Sequence, residues 1–457
     1  MGAVGSSPLR PTLTPQLLFN KIFNIYAREI SVVFLEADLL VVGAGIFGLA
    51  TAYHYLRENP GKSVLIVDRM GDVGQGATAK SAAAFRANLF TSQTNRLLAG
   101  TSVDFFLHVQ EEEGYDLGMM KVGYLVLRSK EQFERISEVA KMLERMGAIR
   151  IYKREELMER LKMNYDFSGD EEAELLNIMN VDYGIFGFKC GYLDADKLAY
   201  YYRDRIREMG GDFQFNTKVE RVIVEPEVRL GIPREPRAWQ KVKFSGVETN
   251  KGVLKAKNLV LAAGGWSHLL LDPLGIDCIS KPKKRQIFTV RPRTEEQRAL
   301  LYNPNFNEEG VLPFTILPTD HYIRADKRDG TLWLAFSDEM RPYSTDDEPE
   351  ESFYYDNIYP IVVKYFPQLE GARVDNMWAG LYMINSVDHN PVVFRRANMV
   401  VATGDSGSGI MKGDAIGRIA AALVQGKREA ELFGGERIPT DKLEVVGRSL
   451  EPENFVF

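Results

Sequence analysis

Residues 38–48 read Asp38-Leu-Leu-Val-Val-Gly43-Ala-Gly45-Ile46-Phe47-Gly48, and Asp68 closes the next apolar run, twenty residues past the last glycine. The spacing predicts a strand over 39–42, a helix over 49–56 and a second strand over 63–67. Gly43 permits the tight turn, Gly45 lets a diphosphate approach the backbone, and Gly48 lets the helix pack on the strand. A helix opening at this point offers unpaired N–H groups and a positive dipole end to phosphates. Asp68 stands where a carboxylate accepts ribose hydroxyls. A glycine triplet alone is weak; strand, helix, second strand and terminal acid together read as a dinucleotide-binding βαβ unit.

The chain has 457 residues, 45% of them hydrophobic and 26% charged, enough for a large core and two interleaved domains. A net charge of −6 gives no reason to expect a nucleic-acid partner. The two cysteines, Cys190 and Cys278, have no metal-ligand or CxxC spacing and read as buried thiols. No metal is expected, because His268, His321 and His389 are scattered without carboxylates at ligand intervals. No run reaches the roughly 18 apolar residues of a membrane span.

Ahead of the glycines, 6–15 is rich in Pro, Ser and Thr, and 16–30 places Leu18, Phe19, Ile22, Phe23, Ile25, Tyr26 and Ile30 on one helical stripe. One reading is a helix packed on the body of the protein. The other is a docking helix for a redox partner, a subunit or a peripheral membrane surface; lysines and histidines are too few there for strong lipid electrostatics, which favours a partner. Localisation on this reading is cytoplasmic, with peripheral membrane association as the variant.

Further along, helices are expected at 95–110, 130–146, 194–209 and 413–425. Strands are expected at 122–127, 212–215, 219–225, 241–249, 252–254, 258–263 and 398–402. Two polar, Pro-bearing stretches, 225–240 and 341–351, read as surface loops. Nucleotide-binding segments recur after long interruptions, so one sheet would be assembled from separated pieces with a pocket at a domain interface.

Three further segments carry a resemblance to the D-amino-acid oxidase superfamily, in its sarcosine oxidase, dimethylglycine dehydrogenase and proline dehydrogenase branch. Gly74-Gln-Gly76-Ala77-Thr78-Ala-Lys80-Ser81-Ala82-Ala83-Ala84-Phe85-Arg86 resembles its flavin loop. Asn258–Ser267, reading NLVLAAGGWS, resembles its return strand and turn. Trp378-Ala-Gly380, Asp388-His-Asn-Pro391 and Ala402-Thr-Gly404-Asp-Ser-Gly407-Ser408-Gly409 resemble its C-terminal flavin clamp. Gly413-Asp-Ala-Ile-Gly417-Arg418 also resembles a mitochondrial FAD-dependent relative that acts in respiratory-complex assembly.

The resemblance implies an α/β fold: a discontinuous, Rossmann-like FAD-binding domain with an interleaved α+β substrate domain carrying an antiparallel sheet. The implied boundaries are an extension over 1–37, FAD-binding segments 38–100, 185–275 and 375–457, and substrate segments 101–184 and 276–374. FAD would be held noncovalently by Gly43, Gly45, Ile46, Phe47, Gly48, Asp68 and Arg69, and by Gly76, Ala77, Thr78, Ser81, Ala82, Ala83 and Ala84. Val219, Ala263, Gly264 and Trp266 would line the nucleotide. Gly380, Gly407, Ser408, Gly409, Ile410, Met411 and Lys412 would hold the ring.

Arg86 directly follows the flavin loop, where a guanidinium could grip a substrate carboxylate or the flavin carbonyls. The strand His321-Tyr322-Ile323-Arg324 resembles the segment where amino-acid-oxidising relatives place substrate-binding Tyr and Arg groups, and alternation puts Tyr322 and Arg324 on one face, so at most one pair could look into the pocket. Relatives commonly read Gly-Phe-Ser-Gly-His-Gly-Phe-Lys at the clamp, whereas this chain has Asp405, Ser408, Ile410 and Met411. Lys412 stands one place later, rotated about 100° on a helix, so its flavin role carries over weakly. That change resembles dehydrogenases more than oxidases.

The leading expectation is an FAD-dependent dehydrogenase that oxidises the Cα–N bond of an amino acid or N-substituted amine by hydride transfer to flavin N5. Its electrons would pass to a quinone or partner protein rather than NAD, since a second GxGxxG unit is missing. The alternatives are a 2-hydroxy-acid dehydrogenase, needing a base such as His268, His321 or His389, and an FAD-containing assembly or docking protein.

Overall fold

The computed structural model of the chain describes residues 36–451 and residue 453. The stripe over 16–30 therefore lies outside the described residues. The described residues open as the glycine motif dictates: strand Ala37–Val42, helix Ile46–Glu58 and strand Val64–Val67. These pair into an eight-stranded sheet in the order Val392–Arg396, Met399–Thr403, Gly252–Leu261, Ala37–Val42, Val64–Val67, Asp212–Gln214. Strands Val219–Pro226 and Val242–Thr249 join through Gly252–Leu261 as an antiparallel meander.

From Met399–Thr403 to Asp212–Gln214 every pairing is parallel. Their apolar runs are correspondingly continuous, as strands covered on both faces must be. The carboxyl ends fall level, with Val42 opposite both Val67 and Leu261. The chain leaves the first strand toward one neighbour and returns on the other, which opens a crevice at those ends.

The second sheet also has eight strands, in the order Val374–Asn385, Ser280–Val290, Thr331–Phe336, His321–Asp326, Phe314–Ile316, Tyr124–Arg128, Tyr183–Gly187, Ile149–Lys153. All its pairings are antiparallel except Phe314–Ile316 with Tyr124–Arg128. The fold is thus the expected α/β arrangement with an antiparallel-rich second part.

Three local readings change. The segments 252–254 and 258–263 are one strand, Gly252–Leu261, in which Lys255 and Lys257 point outward between buried neighbours. A polar pair in an apolar run looks like a break, although alternation allows it. Strands Tyr183–Gly187 and Val374–Asn385 pair in the second sheet, although the expected boundaries assigned 185–187 and 375–385 to FAD-binding segments. The stretch 341–351 is strapped to strand Ser280–Val290: Lys284 Nζ donates to Asp346 at 2.6 Å and to Glu350 at 2.8 Å.

Helix Gly413–Val424, buried on every side, crosses helix Ile46–Glu58 so closely that a methyl group on Gly417 would stand 2.4 Å from Ala50 Cβ. Inside this contact Asp414 takes His54 Nε2 at 2.6 Å, Arg418 Nε at 2.6 Å and the Tyr202 hydroxyl at 3.2 Å. His54 is therefore a structural residue. Cys190 and Cys278 are buried free thiols. Among the described residues, no helix is long and apolar enough to cross a membrane, and no side-chain cluster could hold a metal ion.

The Asp414 network generates a stability prediction. Asp414→Ala leaves buried cations without their carboxylate and should destabilise the protein by about 3–5 kcal/mol, read from the urea midpoint. Burial lowers the His54 pKa, and the His54 and Arg418 partners hold the Asp414 carboxyl below its usual range despite burial. With both pKa values depressed, the unfolded chain binds more protons on acidification. Wild-type stability should therefore fall as pH drops below about 6.5. A flat acid limb together with an unchanged Asp414→Ala midpoint would refute the network's role.

Candidate active site

The crevice is built from backbone first. Gly43 adopts φ +105°, and a Cβ there would lie 2.2 Å from the Ala262 carbonyl oxygen. A Cβ on Gly48 would lie 1.9 Å from the Gly43 carbonyl oxygen, so Gly48 seats the helix on the strand rather than facing a ligand. Gly45 caps helix Ile46–Glu58 in extended conformation. The first-turn N–H groups therefore open toward the crevice, with Ile46 N–H held by Thr78 Oγ1 at 3.1 Å. Asp68 accepts Ala44 N–H at 2.7 Å and Met70 N–H at 2.8 Å, one on each carboxylate oxygen, and keeps lone pairs toward the cavity it lines.

A cavity of about 480 Å³ runs through the crevice. Its wall includes Gly43, Gly45, Ile46, Phe47, Asp68 and Arg69, then Gly76, Ala77, Thr78 and Ser81. Val219, Ala263, Gly264 and Trp266 complete one end, where the Arg69 guanidinium lies 3.5 Å over the Trp266 ring. Gly407, Gly409 and Ile410 line the other. Sheet order separates the ends: Asp68 follows Val64–Val67, whereas 404–409 follows Met399–Thr403, three strands away or about 14 Å.

These residues fit FAD. The cavity is elongated, with a carboxylate at one end, amide donors at a helix start in the middle and a backbone loop with buried cations behind it at the far end. Its volume lies within the range of small-molecule sites.

A smaller cavity adjoins the far end and shares Ala77, Ser81, Leu381 and Tyr382 with the large one. Ala82, Gly380 and Tyr322 line it, of which only Tyr322 was expected at the substrate, and so do Lys80, Arg285 and Ile287, which were not anticipated. Arg285 sits opposite Gly380 in the strand register, and a Cβ on that glycine would lie 3.1 Å from Lys80 Cβ, so the glycine lets the flavin loop pack on the strand. Its Nη1 donates to the Asp338 carbonyl at 2.8 Å and its Nη2 to Glu339, while its buried Nε meets no acceptor. Burial raises the Tyr322 and Tyr382 pKa values, so both phenols stay neutral donors near neutral pH. Nothing in the sequence singles out Arg285, which stands in the basic run Lys281-Pro-Lys-Lys-Arg285.

Other expected site residues stand outside both linings. Ala83 and Ala84 pass beneath the loop, Ala84 pairing with Tyr192. Arg324 does not reach a substrate: it is 1% exposed, held between the rings of Tyr192 and Trp333. It donates to the Ala82 carbonyl at 2.6 Å and to Asp326 at 2.8 Å. Burial lowers its pKa to about 10 against the pull of Asp326, and it remains a cation that braces the flavin loop. Arg86 is likewise turned inward, donating to the Leu89 carbonyl at 2.8 Å and lying over the Phe90 ring. Ser408, Met411 and Lys412 are buried behind the clamp, where Lys412 Nζ donates to Ser408 Oγ at 2.6 Å. Among the described residues, His321 is occupied by Thr319 and the Asn357 carbonyl, and no histidine lines either cavity.

The DAO model, "FAD dependent oxidoreductase", matches residues 38–423. FAD-dependent oxidoreductase domain-containing protein 1 of Xenopus laevis is 23% identical over 421 residues, covering 85% of this chain and 79% of that protein. Glycine oxidase of Bacillus subtilis is 21% identical over 411 residues, covering 85% of this chain and 93% of that protein. The crystal structure of L-proline dehydrogenase from P. horikoshii superposes with a TM-score of 0.70 at 20% identity, covering 90% of this chain and 96% of that one. The last likeness is one of fold.

The close packing at Gly48 sets a direct test. Gly48→Val should lower the thermal midpoint and leave the recovered protein with about tenfold less bound flavin, measured as the visible-to-280 nm absorbance ratio. Full yellow occupancy in that variant would refute the role assigned to the helix–strand fit.

Proposed function

The chain belongs to the DAO family of FAD-dependent oxidoreductases, and from that premise we propose that it is a dehydrogenase for a carboxylated amino acid or N-substituted amine, oxidised at the Cα–N bond. FAD, when bound, supplies a two-electron acceptor that takes hydride at N5. The observation that carries this reading is the small recess beside the clamp, of about 20 Å³, walled by Arg285, Tyr322 and Tyr382 and, among the described residues, lined by no histidine.

Arg285 presents its unpartnered Nε–H, and the two phenols donate alongside it, so together they recognise a carboxylate. Burial removes competing water and strengthens these hydrogen bonds. Small side chains from Ala77 to Ala82 leave the opposite wall flat. An amine that arrives neutral needs no protein base during transfer, whereas an alcohol does. The lining offers no imidazole for that task, which favours the amine over a 2-hydroxy acid. Orientation and electrostatics then supply the acceleration. Behind the clamp, Arg86 and Lys412 place positive charge where reduced cofactor gains negative charge. No histidine or cysteine lines either cavity, which supports noncovalent attachment. Electrons leave to a quinone or carrier protein, in keeping with Met411 and Lys412 departing from the oxidase pattern.

Anaerobic mixing of the purified yellow protein with a panel of amino acids, N-methylated amino acids and 2-hydroxy acids tests the reading. Carboxylated amines should bleach the flavin, and Arg285→Ala should raise their KM about 10- to 100-fold while sparing decarboxylated analogues. Bleaching by hydroxy acids alone, or by nothing in the panel, would overturn it.

A further inference from the structure

At the clamp end of the main cavity stands an ionisable group that substrate recognition leaves unused. Asp405 follows strand Met399–Thr403 and lines the cavity beside Gly407, Gly409 and Tyr382. Its carboxylate folds back over its own turn, so that a Cβ on Gly409 would lie 2.1 Å from Oδ2. The bare glycine makes room for it. Ser408 braces the turn, its Oγ donating to the Asp405 carbonyl at 3.0 Å while accepting from Lys412 Nζ at 2.6 Å.

The charged and titratable groups around Asp405 come from every neighbouring element. Lys412 lies on the same turn and Tyr382 on strand Val374–Asn385; Arg285 stands beyond Tyr382. Arg86, Glu453 and Asp388 lie beyond Lys412. Burial holds the Asp405 carboxyl above the ordinary carboxylate range against the pull of Lys412. Burial, together with Arg86, holds the Lys412 ammonium below its own range. A carboxyl group here can change charge near physiological pH.

We propose that Asp405 couples electron entry to proton uptake, its carboxylate binding one proton from solvent when bound FAD is reduced and releasing it on reoxidation. The inference rests on the flavin ring occupying the clamp end of the cavity. Two electrons and one proton leave the reduced ring with a net negative charge. In a low-dielectric cavity that charge repels the carboxylate and raises its pKa. Between the pKa values of the oxidised and reduced states, Asp405 binds a second proton. Two protons are then taken up per two electrons, and reoxidation returns both.

Potentiometric titration of the flavin between pH 5 and 9 tests this in the holoprotein. Wild type should show two protons per two electrons within a window and one above it. Asp405→Asn should take up fewer protons per two electrons than wild type within that window, with a higher midpoint potential on the alkaline side where it lacks the anion. Lys412→Met should keep the window and move it to higher pH. Equal proton counts in wild type and Asp405→Asn, or a window lost only in Lys412→Met, would overturn the proposal. Should Asp405→Asn not retain flavin, Asp405→Glu replaces it: proton release and uptake followed with a pH dye during anaerobic photoreduction should place the second proton in a different pH range from wild type, and an unchanged range overturns the proposal. One proton per flavin at every pH then overturns it. Absence of bound flavin in wild type would remove the cofactor reading itself, whereas bound flavin without the second proton removes only this inference.

Discussion

The structure depends on a contact with no side chain in it. At Gly48 the first helix lies so near the first strand that even a methyl group would overlap the Gly43 carbonyl, at 1.9 Å. This approach aims the helix's first-turn N–H groups into the crevice at the strand ends. It also brings Ala50 within reach of Gly417, so that the last helix can cover the first. Two segments far apart in sequence, at 48–50 and at 417, therefore meet on one backbone fit, and the cavity follows from it.

Around that fit the protein places charge by depth. Asp414, fully buried, is satisfied by a histidine, an arginine and a phenol, which ties the terminal helices together without exposing a cation. On strand Ser280–Val290 three consecutive cations, Lys283, Lys284 and Arg285, are buried beneath the acidic stretch that contributes Glu339, Asp346 and Glu350. That strand is a strapped wall. Its last cation, Arg285, lines the small cavity. Arg324 lines neither cavity; it is held by Asp326, a loop carbonyl and two aromatic rings, and so supports the loop.

The nucleotide half was legible because its requirements are local. Gly43, Gly45, Gly48 and Asp68 act through φ, close approach and spacing within one βαβ unit; Gly43, Gly45 and Asp68 line the cavity, and Gly48 seats the helix on the strand behind it. The clamp was legible through its glycines, although Asp405 appeared there only as a departure. The substrate wall was not. Tyr322 and Arg324 were singled out together by resemblance, and alternation kept them as a pair on one face. Alternation assigns a face and says nothing about which neighbours occupy it. Arg86 was drawn in by adjacency along the chain, and in space its side chain turns toward Leu89 and Phe90.

What the chain determines by itself is therefore the βαβ opening, the family motifs and the positions that must be glycine, since steric limits on a backbone are properties of a few consecutive residues. Only the tertiary structure decides which sheet takes Tyr183–Gly187 and Val374–Asn385, and that Arg285 rather than Arg86 or Arg324 faces the small cavity. Pairing between strands far apart in sequence sets those outcomes. A cation's role depends on which carboxylates the fold brings to it, and no local pattern encodes that.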